Sequence, residues 1–304
     1  MDAFPNGSGG MGIGENGNPS DSRSTSGGWA LAHGFNQGEE RTGVRRFSGH
    51  LGMSVLGPVR IGEVSQIGQR QAGARTIGAP MPRALLALLI IKKNSVVPMW
   101  QIVEELWREP PQSAVNIVRQ YICKLRTMLN SFVPSSQIGT YSGGYDMTVD
   151  PGVLDSTIFE ERISTGQGLL VVGRVDEAIQ TLGEAVDLYR GPAYFDVERG
   201  AAVLIERVRL DELFVDALVT RARAQINVGE LVGAIAALRW VVGHHPFREH
   251  PYMDLMKAFA LDGRKADALA VYRRVRTLMI EELGLDVSQQ MRDMERHVLL
   301  DELR

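Results

Sequence analysis

Ser113-Ala-Val-Asn-Ile-Val-Arg-Gln-Tyr-Ile-Cys-Lys-Leu-Arg-Thr-Met-Leu129 is the stretch that decides how this chain is interpreted. Apolar residues recur in it at helical spacing and predict one buried stripe, formed by Val118, Ile122, Leu125 and Leu129. The opposite side carries amides, a thiol, a cation and a hydroxyl, at Asn116, Gln120, Cys123, Lys124 and Thr127. The stretch contains no carboxylate, so it predicts a helix with two unlike faces.

The outer face of this helix has the chemistry of a helix in a DNA major groove. Asn and Gln can read adenine edges there, and Arg or Lys can read guanine or hold phosphate. The simpler alternative is the solvated face of an ordinary core helix. Ser113 follows the helix-breaking pair Pro110-Pro111, and we expect its side chain to accept a hydrogen bond from a first-turn amide and fix the helix start.

Length and composition indicate a globular protein of ordinary type. The 304 residues suffice for two domains with separate cores and a tail, and 44% of them are hydrophobic and 23% charged. A single cysteine, Cys123, excludes an internal disulfide and fits a reducing cytoplasm. The sequence shows neither the apolar core of a signal peptide nor an uncharged apolar run of about 18 residues. A cytoplasmic protein without a membrane span is the expectation.

Charge is distributed unevenly along the chain. Residues 1–50 hold 4 basic and 5 acidic groups, residues 51–150 hold 10 and 6, and residues 151–304 hold 19 and 25. Only the middle segment is basic, and it contains the helix described above. A module that binds a polyanion would have this charge.

The N-terminal 150 residues divide into a tail and a compact unit. Residues 1–50 hold 12 of the 33 Gly and are predicted to be disordered; the Gly-x-Gly-x-x-Gly match at residues 7–12 lacks the strand and helix of a cofactor site. From residue 51 the pattern predicts short strands about Gly57-Pro58, helices near 83–92 and 99–107, and the helix from Ser113. A hairpin over 138–149 with the tip Ser142-Gly143-Gly144 follows.

A short sheet, three helices and a hairpin form the winged-helix order, in which the third helix enters the major groove and the hairpin tip can reach the backbone. Five motifs carry a closer resemblance: Val55-Leu56-Gly57-Pro58, Leu85-Leu86-Ala87-Leu88-Leu89, Glu105-Leu106-Trp107, Tyr121-Ile-Cys-Lys-Leu125-Arg126 and Gly144-Tyr145. They resemble the OmpR-type winged helix of the Streptomyces antibiotic regulatory protein family.

Beyond Asp150 the periodicity is helical and contains a repeat. Gly173, Gly229 and Gly263 each precede an Ala by five residues, at Ala178, Ala234 and Ala268. A Gly that turns the chain and a small Ala that allows close packing are typical of tetratricopeptide-like hairpins. The second and third Gly lie 34 residues apart and the first two 56 apart, so an extra helix is predicted within residues 198–228.

The helical half also resembles the bacterial transcriptional activation domain of the same family, through Leu154-Asp155, Tyr189-Arg190-Gly191-Pro192, His245-Pro246-Phe247-Arg248-Glu249 and Glu281-Glu282-Leu283-Gly284-Leu285. The predicted fold is mainly α, with an N-terminal winged-helix (α+β) DNA-binding domain before an all-α tetratricopeptide-like helical-repeat domain. The predicted boundaries are a tail at 1–50, the winged helix at 51–150 and the repeat domain at 151–304.

The candidate DNA-binding residues lie on the third helix and at the hairpin tip. They are Ser113, Asn116, Arg119, Gln120, Lys124, Arg126, Thr127, Tyr141, Ser142 and Gly143. Base contacts are expected in the N-terminal half of the helix, at Asn116, Arg119 and Gln120, and phosphate contacts at Lys124, Arg126 and Thr127. Arg126 has an alternative of equal weight, an ion pair inside the domain, and Arg83 is a weaker candidate for a phosphate clamp.

The sequence gives little support for a catalytic site or a metal site. The chain has no Gly-x-x-x-x-Gly-Lys-Ser/Thr phosphate loop, and Cys123 has no His near it in sequence. His244, His245 and His250 lie at a turn beside Pro246 without a cysteine or carboxylate cluster, which favours a structural role over metal binding. We expect neither an enzyme nor a bound metal or cofactor.

The resemblance implies a transcriptional activator of a secondary-metabolite, or antibiotic, gene cluster. Family members would bind direct repeats at promoters as two copies side by side, a homodimer on DNA, and contact RNA polymerase and its sigma factor. The sequence departs from the commoner family pattern at Arg119, where Gln is usual, and at Gln120, where Ser is usual, which leaves the operator open. The alternative is a tetratricopeptide-type protein–protein scaffold or ligand sensor with a degenerate winged helix.

Overall fold

The computed structural model describes residues 51–64 and 75–303. The tail predicted at residues 1–50, with its Gly-x-Gly-x-x-Gly match, lies outside the described residues. Among those described, no helix combines the length and the apolar character needed to cross a membrane.

Residues 51–64 and 75–150, the described part of the N-terminal half, form two small antiparallel sheets and three helices. The first sheet has the order β1-β2-β3, with β1 at Leu51–Ser54, β2 at Arg60–Val64 and β3 at Arg75–Thr76. The helices are α1 (Pro80–Ile91), α2 (Met99–Leu106) and α3 (Ala114–Phe132). The second sheet has the order β4-β6-β5, with β4 at Val97–Pro98, β5 at Gln137–Tyr141 and β6 at Gly144–Thr148. This is the predicted order of sheet, three helices and hairpin.

The sequence explains why α1 is the central helix of this half. Its residues are apolar nearly all round, and Leu85, Leu86, Leu88 and Leu89 are all buried. A helix without a polar face must be covered on most sides. The helix packs against α2, α3 and β6 and also against a helix of the C-terminal half.

The C-terminal half is helical. After a 3-10 turn at Pro151–Val153 it consists of α4 (Asp155–Val171), α5 (Val175–Leu188), α6 (Ala201–Asn227), α7 (Leu231–His244), α8 (Glu249–Leu261), α9 (Lys265–Leu283) and α10 (Gln289–Leu300). The mainly α fold, a winged helix followed by helical repeats, is confirmed. The extra helix predicted within residues 198–228 is α6, which has 27 residues.

Three helical hairpins, α4/α5, α6/α7 and α8/α9, turn at the three predicted glycines. Gly173, Gly229 and Gly263 have φ of 77°, 82° and 76°, a left-handed conformation that glycine adopts without steric cost. The alanines five residues on, Ala178, Ala234 and Ala268, are fully buried where the helices pack closely. The sequence repeat is therefore a structural repeat.

The two halves share one continuous hydrophobic core, although the chain is long enough for two domains with separate cores. The turn after β1 inserts against the loop between α5 and α6. The Arg190 amide donates to the Leu56 carbonyl at 2.9 Å, and the Tyr194 amide donates to the Val55 carbonyl at 2.8 Å. These backbone contacts fix the winged helix on the helical repeats.

A buried carboxylate lies in the same contact between the two halves. Asp155, which is fully buried, accepts hydrogen bonds from the amides of Val55 (2.8 Å) and Leu56 (3.1 Å) and from the Arg190 guanidinium (2.6 Å). Burial raises the pKa of the Asp155 carboxyl, while the Arg190 charge and the backbone amides oppose that rise. Asp155 thus joins residues about 100 positions apart in the chain.

Arg83 belongs to this contact as well. Its Nε and Nη2 donate to the Ile77 carbonyl, and its Nη1 donates to the Asp196 carbonyl at 2.9 Å and lies 3.1 Å from the Asp196 carboxylate. The expectation of a phosphate clamp at Arg83 is wrong, because its guanidinium is engaged inside the protein. A third link is the Ala202 amide, which donates to Glu105 Oε2 at 3.2 Å.

Candidate nucleic-acid interface

Helix α3 buries the stripe that the sequence predicts. Val118, Ile122, Leu125 and Leu129 are each at most 1% exposed, and the helix packs against α1, α2, β2 and β5. Its 19 residues make a rod of about 28 Å. The opposite face is consequently free of the protein's own core.

The exposed face of α3 carries the predicted polar residues. Those exposed to solvent are Asn116, Arg119, Gln120, Cys123, Lys124 and Thr127. Steps of four residues place Asn116, Gln120 and Lys124 about 6 Å apart along the axis. Because residues 113–132 contain no Asp or Glu, Arg119 and Lys124 give this face a positive charge.

Two of the predicted base readers are joined to each other. Arg119 Nη1 donates a hydrogen bond to Asn116 Oδ1 at 3.1 Å, one helical turn away. The bond is exposed, so DNA could replace it with bonds to base edges. The two residues therefore form one coupled unit.

Ser113 is exposed at the N-cap position, but its side chain makes no capping hydrogen bond, so that expectation is wrong. A capping hydroxyl needs an extended backbone. Ser113 has φ −88° and ψ 8° instead, because the preceding turn lets the Ala114 amide donate to the Pro111 carbonyl at 2.9 Å. As a DNA contact, Ser113 stays a prediction.

Arg126 and Thr127 both use their side chains within the protein. Arg126 Nε donates to the Ile138 carbonyl at 3.0 Å, and its Nη2 donates to Thr140 Oγ1 at 2.6 Å. These partners are a carbonyl and a hydroxyl, and among residues 51–64 and 75–303 the alternative ion pair of Arg126 is not found. The Thr127 hydroxyl donates to the Cys123 carbonyl at 3.1 Å and stays exposed. Arg126 therefore ties α3 to the hairpin.

The hairpin tip is one residue shorter than predicted. Gly144 already pairs with Tyr141 and Pro98, which leaves Ser142 and Gly143 as a two-residue turn. Gly143 has φ 86° and its carbonyl accepts a hydrogen bond from the Met99 amide at 2.7 Å. Tyr141, Ser142 and Gly143 are exposed, as their predicted role requires.

Sequence reasoning missed the role of Gly144 and Met99 in positioning this tip. A Cβ added at Gly144 would lie 2.4 Å from the Val97 carbonyl oxygen, so only glycine allows β6 to approach β4. The Ser142-Gly143 pair is itself a two-residue hairpin signal and would have identified the shorter turn. Nothing in the sequence marks the Met99 amide, since the contact is through backbone.

The predicted histidines lie away from this face. His244 stacks on Trp240 with ring centroids 4.1 Å apart, and its Nδ1 lies 2.8 Å from the Trp240 carbonyl oxygen. Burial lowers the pKa of His245, and neighbouring His244 adds to that effect. Within residues 51–64 and 75–303 no group of three His, Cys, Asp or Glu side chains has a metal-binding arrangement.

Comparison with known families identifies both halves. The family "Transcriptional regulatory protein, C terminal" matches residues 75–147, and the "Bacterial transcriptional activator domain" matches residues 154–299. RedD, a transcriptional regulator of Streptomyces coelicolor, is 31% identical over 83% of this chain and 71% of its own length. The chain belongs to the Streptomyces antibiotic regulatory protein family.

Other relatives of this chain differ from it in length. DnrI of Streptomyces peucetius is 29% identical over 73% of this chain and 84% of its own length. AfsR of Streptomyces coelicolor is 32% identical over 88% of this chain, which spans only 25% of AfsR. A solved structure of Mycobacterium tuberculosis EmbR in complex with a low-affinity phosphopeptide superposes with a TM-score of 0.75 and 27% identity, covering 84% of this chain and 66% of EmbR.

Family membership confirms two predictions from the sequence. The chain combines an OmpR-type winged helix with a bacterial transcriptional activation domain, and its relatives are regulators of transcription rather than enzymes. The predicted boundaries near residues 50 and 150 stay predictions.

Proposed function

We propose that this regulator is a sequence-specific DNA-binding activator of an antibiotic or other secondary-metabolite gene cluster. The exposed, carboxylate-free face of α3 beside the hairpin tip is the observation that carries the proposal. A cationic face with amide groups suits both the phosphate backbone and the base edges of the major groove. The names of RedD and DnrI, both regulatory proteins, agree with it.

Within the proposed interface the residues divide by task. Asn116, Arg119 and Gln120 would contact base edges from the N-terminal half of α3, whereas Lys124 would hold phosphate. Ser113 and Thr127 would add hydroxyl contacts at either end. Tyr141, Ser142 and Gly143 would meet sugar or phosphate at the hairpin tip. Arg126 serves first to position that hairpin, because two of its nitrogens already have partners there.

Activation would follow by recruitment. Two copies would lie side by side on direct repeats at a promoter, in the cytoplasm at the nucleoid, and contact RNA polymerase and its sigma factor. Each 1.4 kcal/mol of favourable contact would raise polymerase occupancy about tenfold without covalent chemistry. The helical half would supply the contact surface.

The competing function is a protein–protein scaffold or ligand sensor whose winged helix does not bind DNA. Exposed apolar side chains at the start of α6, Leu204, Ile205 and Val208, favour protein contacts by the helical half. Such contacts fit an activator equally well, so the two functions differ only in what α3 does.

Binding of duplex DNA measured at increasing salt separates the two functions. For a DNA-binding activator, log Kd should rise with log salt with a slope of about 0.9 per phosphate contact. DNA selected from random sequence should also yield a repeated motif. If no duplex is bound even at low salt, the DNA-binding function is excluded and the scaffold remains.

A further inference from the structure

An open groove lies where the winged helix meets the helical half. It has a volume of about 480 Å³ and lies between α2, the residues that follow α2, and the start of α6. Its lining includes Trp100, Glu104, Arg108, Arg199 and Ala201. The contact between the Ala202 amide and Glu105 holds its two walls together.

The groove continues into an apolar stripe on α6. Leu204, Ile205 and Val208 lie three, four and seven residues after Ala201, on the same side of the helix, and are 50%, 71% and 62% exposed. Trp100, on the opposite wall, is 67% exposed. Four large apolar side chains from two domains therefore share one uncovered surface, of a kind that normally marks a contact site.

The chain itself carries a short apolar segment before the described residues. Residues 1–50 are dominated by Gly, Ser, Asn and charged residues, yet Trp29-Ala-Leu-Ala-His-Gly-Phe35 places three large apolar side chains within seven positions. Glu39 and Glu40 follow it closely. The groove lining carries Arg108 and Arg199, for which no ion pair is found in the described part of the chain, together with Glu104 and Glu105. The two arginines are the groups with which Glu39 or Glu40 can pair.

The connection to the folded protein is long enough for this contact. Fifteen residues, 36–50, separate Phe35 from Leu51, and an extended chain of that length spans up to about 50 Å. A winged-helix domain of about 100 residues is about 35 Å across. The tether also holds the segment near the groove at an effective concentration of about 1 mM, so even weak docking would be well populated.

We propose that the segment Trp29–Phe35 docks in the groove between α2 and α6 of its own chain. Its Trp, Leu and Phe side chains pack on Trp100, Leu204, Ile205 and Val208, and Glu39 or Glu40 pairs with Arg108 or Arg199. The segment spans the junction of the two domains. Any other protein that uses this surface must displace it.

Photocrosslinking in the full chain tests the proposal. The protein carries p-benzoylphenylalanine in place of Phe35, and the crosslinked peptides are identified by mass spectrometry after irradiation. The expected result is a crosslink to α2 or to the first two turns of α6, found in the monomer band. Crosslinks scattered over the surface, or crosslinks to this groove only in a dimer band, would overturn the proposal; the dimer band would assign the groove to a second copy.

Two surface variants serve as matched controls. The double variant Ile205→Ser and Val208→Ser should lower the crosslink yield about tenfold, the factor that loss of about 1.4 kcal/mol gives. Val232→Ser, at an 82% exposed position on α7, should leave the yield unchanged. Equal yields in both variants would also contradict docking on α6.

Discussion

Arg119 is the residue at which reading of sequence and attraction to phosphate can be separated by experiment. It is exposed on α3, hydrogen-bonded to Asn116, and lies five residues before Lys124 on the same helix. Contacts to base edges depend on sequence, whereas contacts to phosphate do not. Removal of Arg119 should therefore change DNA binding in a different way from removal of Lys124.

Arg119→Ala should weaken binding to the selected DNA site by about 1–3 kcal/mol and relax its base preference. Lys124→Ala should weaken specific and random duplexes alike and reduce the salt slope by about one phosphate. Fluorescence anisotropy with both duplexes measures the difference. If Arg119→Ala costs the same on random DNA as on the selected site, Arg119 is not a base reader.

Asp211, on α6, makes the stability of the helical half depend on pH. Its carboxylate accepts hydrogen bonds from the Tyr189 hydroxyl and from the Ala193 amide. Burial raises the pKa of this carboxyl from 3.8 to about 6. Because the folded state holds the proton more tightly, the stability that Asp211 contributes is complete below pH 3.8 and is lost as pH rises through about 6.

Asp211→Asn keeps an acceptor oxygen but stays neutral at every pH. The variant should therefore gain in Tm relative to the natural protein between pH 4 and pH 7. Because Asp211 is partly exposed, the expected gain in stability is only about 1 kcal/mol. For a protein of this size that corresponds to a rise in Tm of about 2–4 °C. Paired melting curves at each pH supply the measurement, and a difference in Tm that does not change with pH would exclude the raised pKa.

At the scale of elements, α3 and the hairpin form one unit because Arg126 joins them. Its bonds to Ile138 and Thr140 reach from the helix to β5, and the Gly143–Met99 bond holds the tip on α2. The helix and the hairpin tip are thus fixed relative to each other before any DNA is bound. This arrangement needs no ordering of the hairpin on binding.

Arg126→Ala should lower the free energy of unfolding by about 1–2 kcal/mol, through the loss of two hydrogen bonds from a charged group. The salt slope of DNA binding should remain unchanged. Urea denaturation and the salt titration measure these two effects, with Lys124→Ala as the control that changes the slope and leaves stability nearly intact. A slope reduced by about 0.9 in Arg126→Ala would make Arg126 a phosphate ligand.

The sequence predicts these elements well where local rules decide them. The stripe of α3 follows from helical spacing, and the turns at Gly173, Gly229 and Gly263 follow from the need for positive φ. Prediction failed where a neighbouring turn changed the local geometry. Ser113 has the right residue type for a cap, but the turn from Pro111 sets its backbone outside the extended conformation that capping needs.

At the scale of the whole molecule, one buried carboxylate joins the two halves. Asp155 accepts hydrogen bonds from Val55, Leu56 and Arg190, and the hydrophobic core continues across the same contact. Sequence patterns could not predict this contact, because its partners lie up to 100 positions apart and two of them are backbone amides. For the same reason, the separation of the partners in sequence, the ion pair between Arg83 and Asp196 could not be predicted.

Asp155→Ala should lower the free energy of unfolding by about 3–5 kcal/mol, since it leaves two buried amides and a guanidinium without their acceptor. The two halves should then unfold in separate transitions. Glu177→Ala, which removes an exposed ion pair with Arg174, is the control and should cost less than about 1 kcal/mol. Denaturation followed by two probes tests this, and a single transition with unchanged midpoint would contradict the role of Asp155.

The chain's single cysteine gives direct access to the claim that α3 binds DNA through its exposed face. Cys123 lies on that face and is exposed, so its alkylation rate reports whether the face is covered. A Cys123→Ser and Val232→Cys variant places the thiol on α7 as the control. With selected DNA at 100 times its Kd, about 1% of the protein is free. Alkylation of Cys123 should then slow by up to about 100-fold while the control rate stays constant; an unchanged Cys123 rate on saturating DNA would contradict the account.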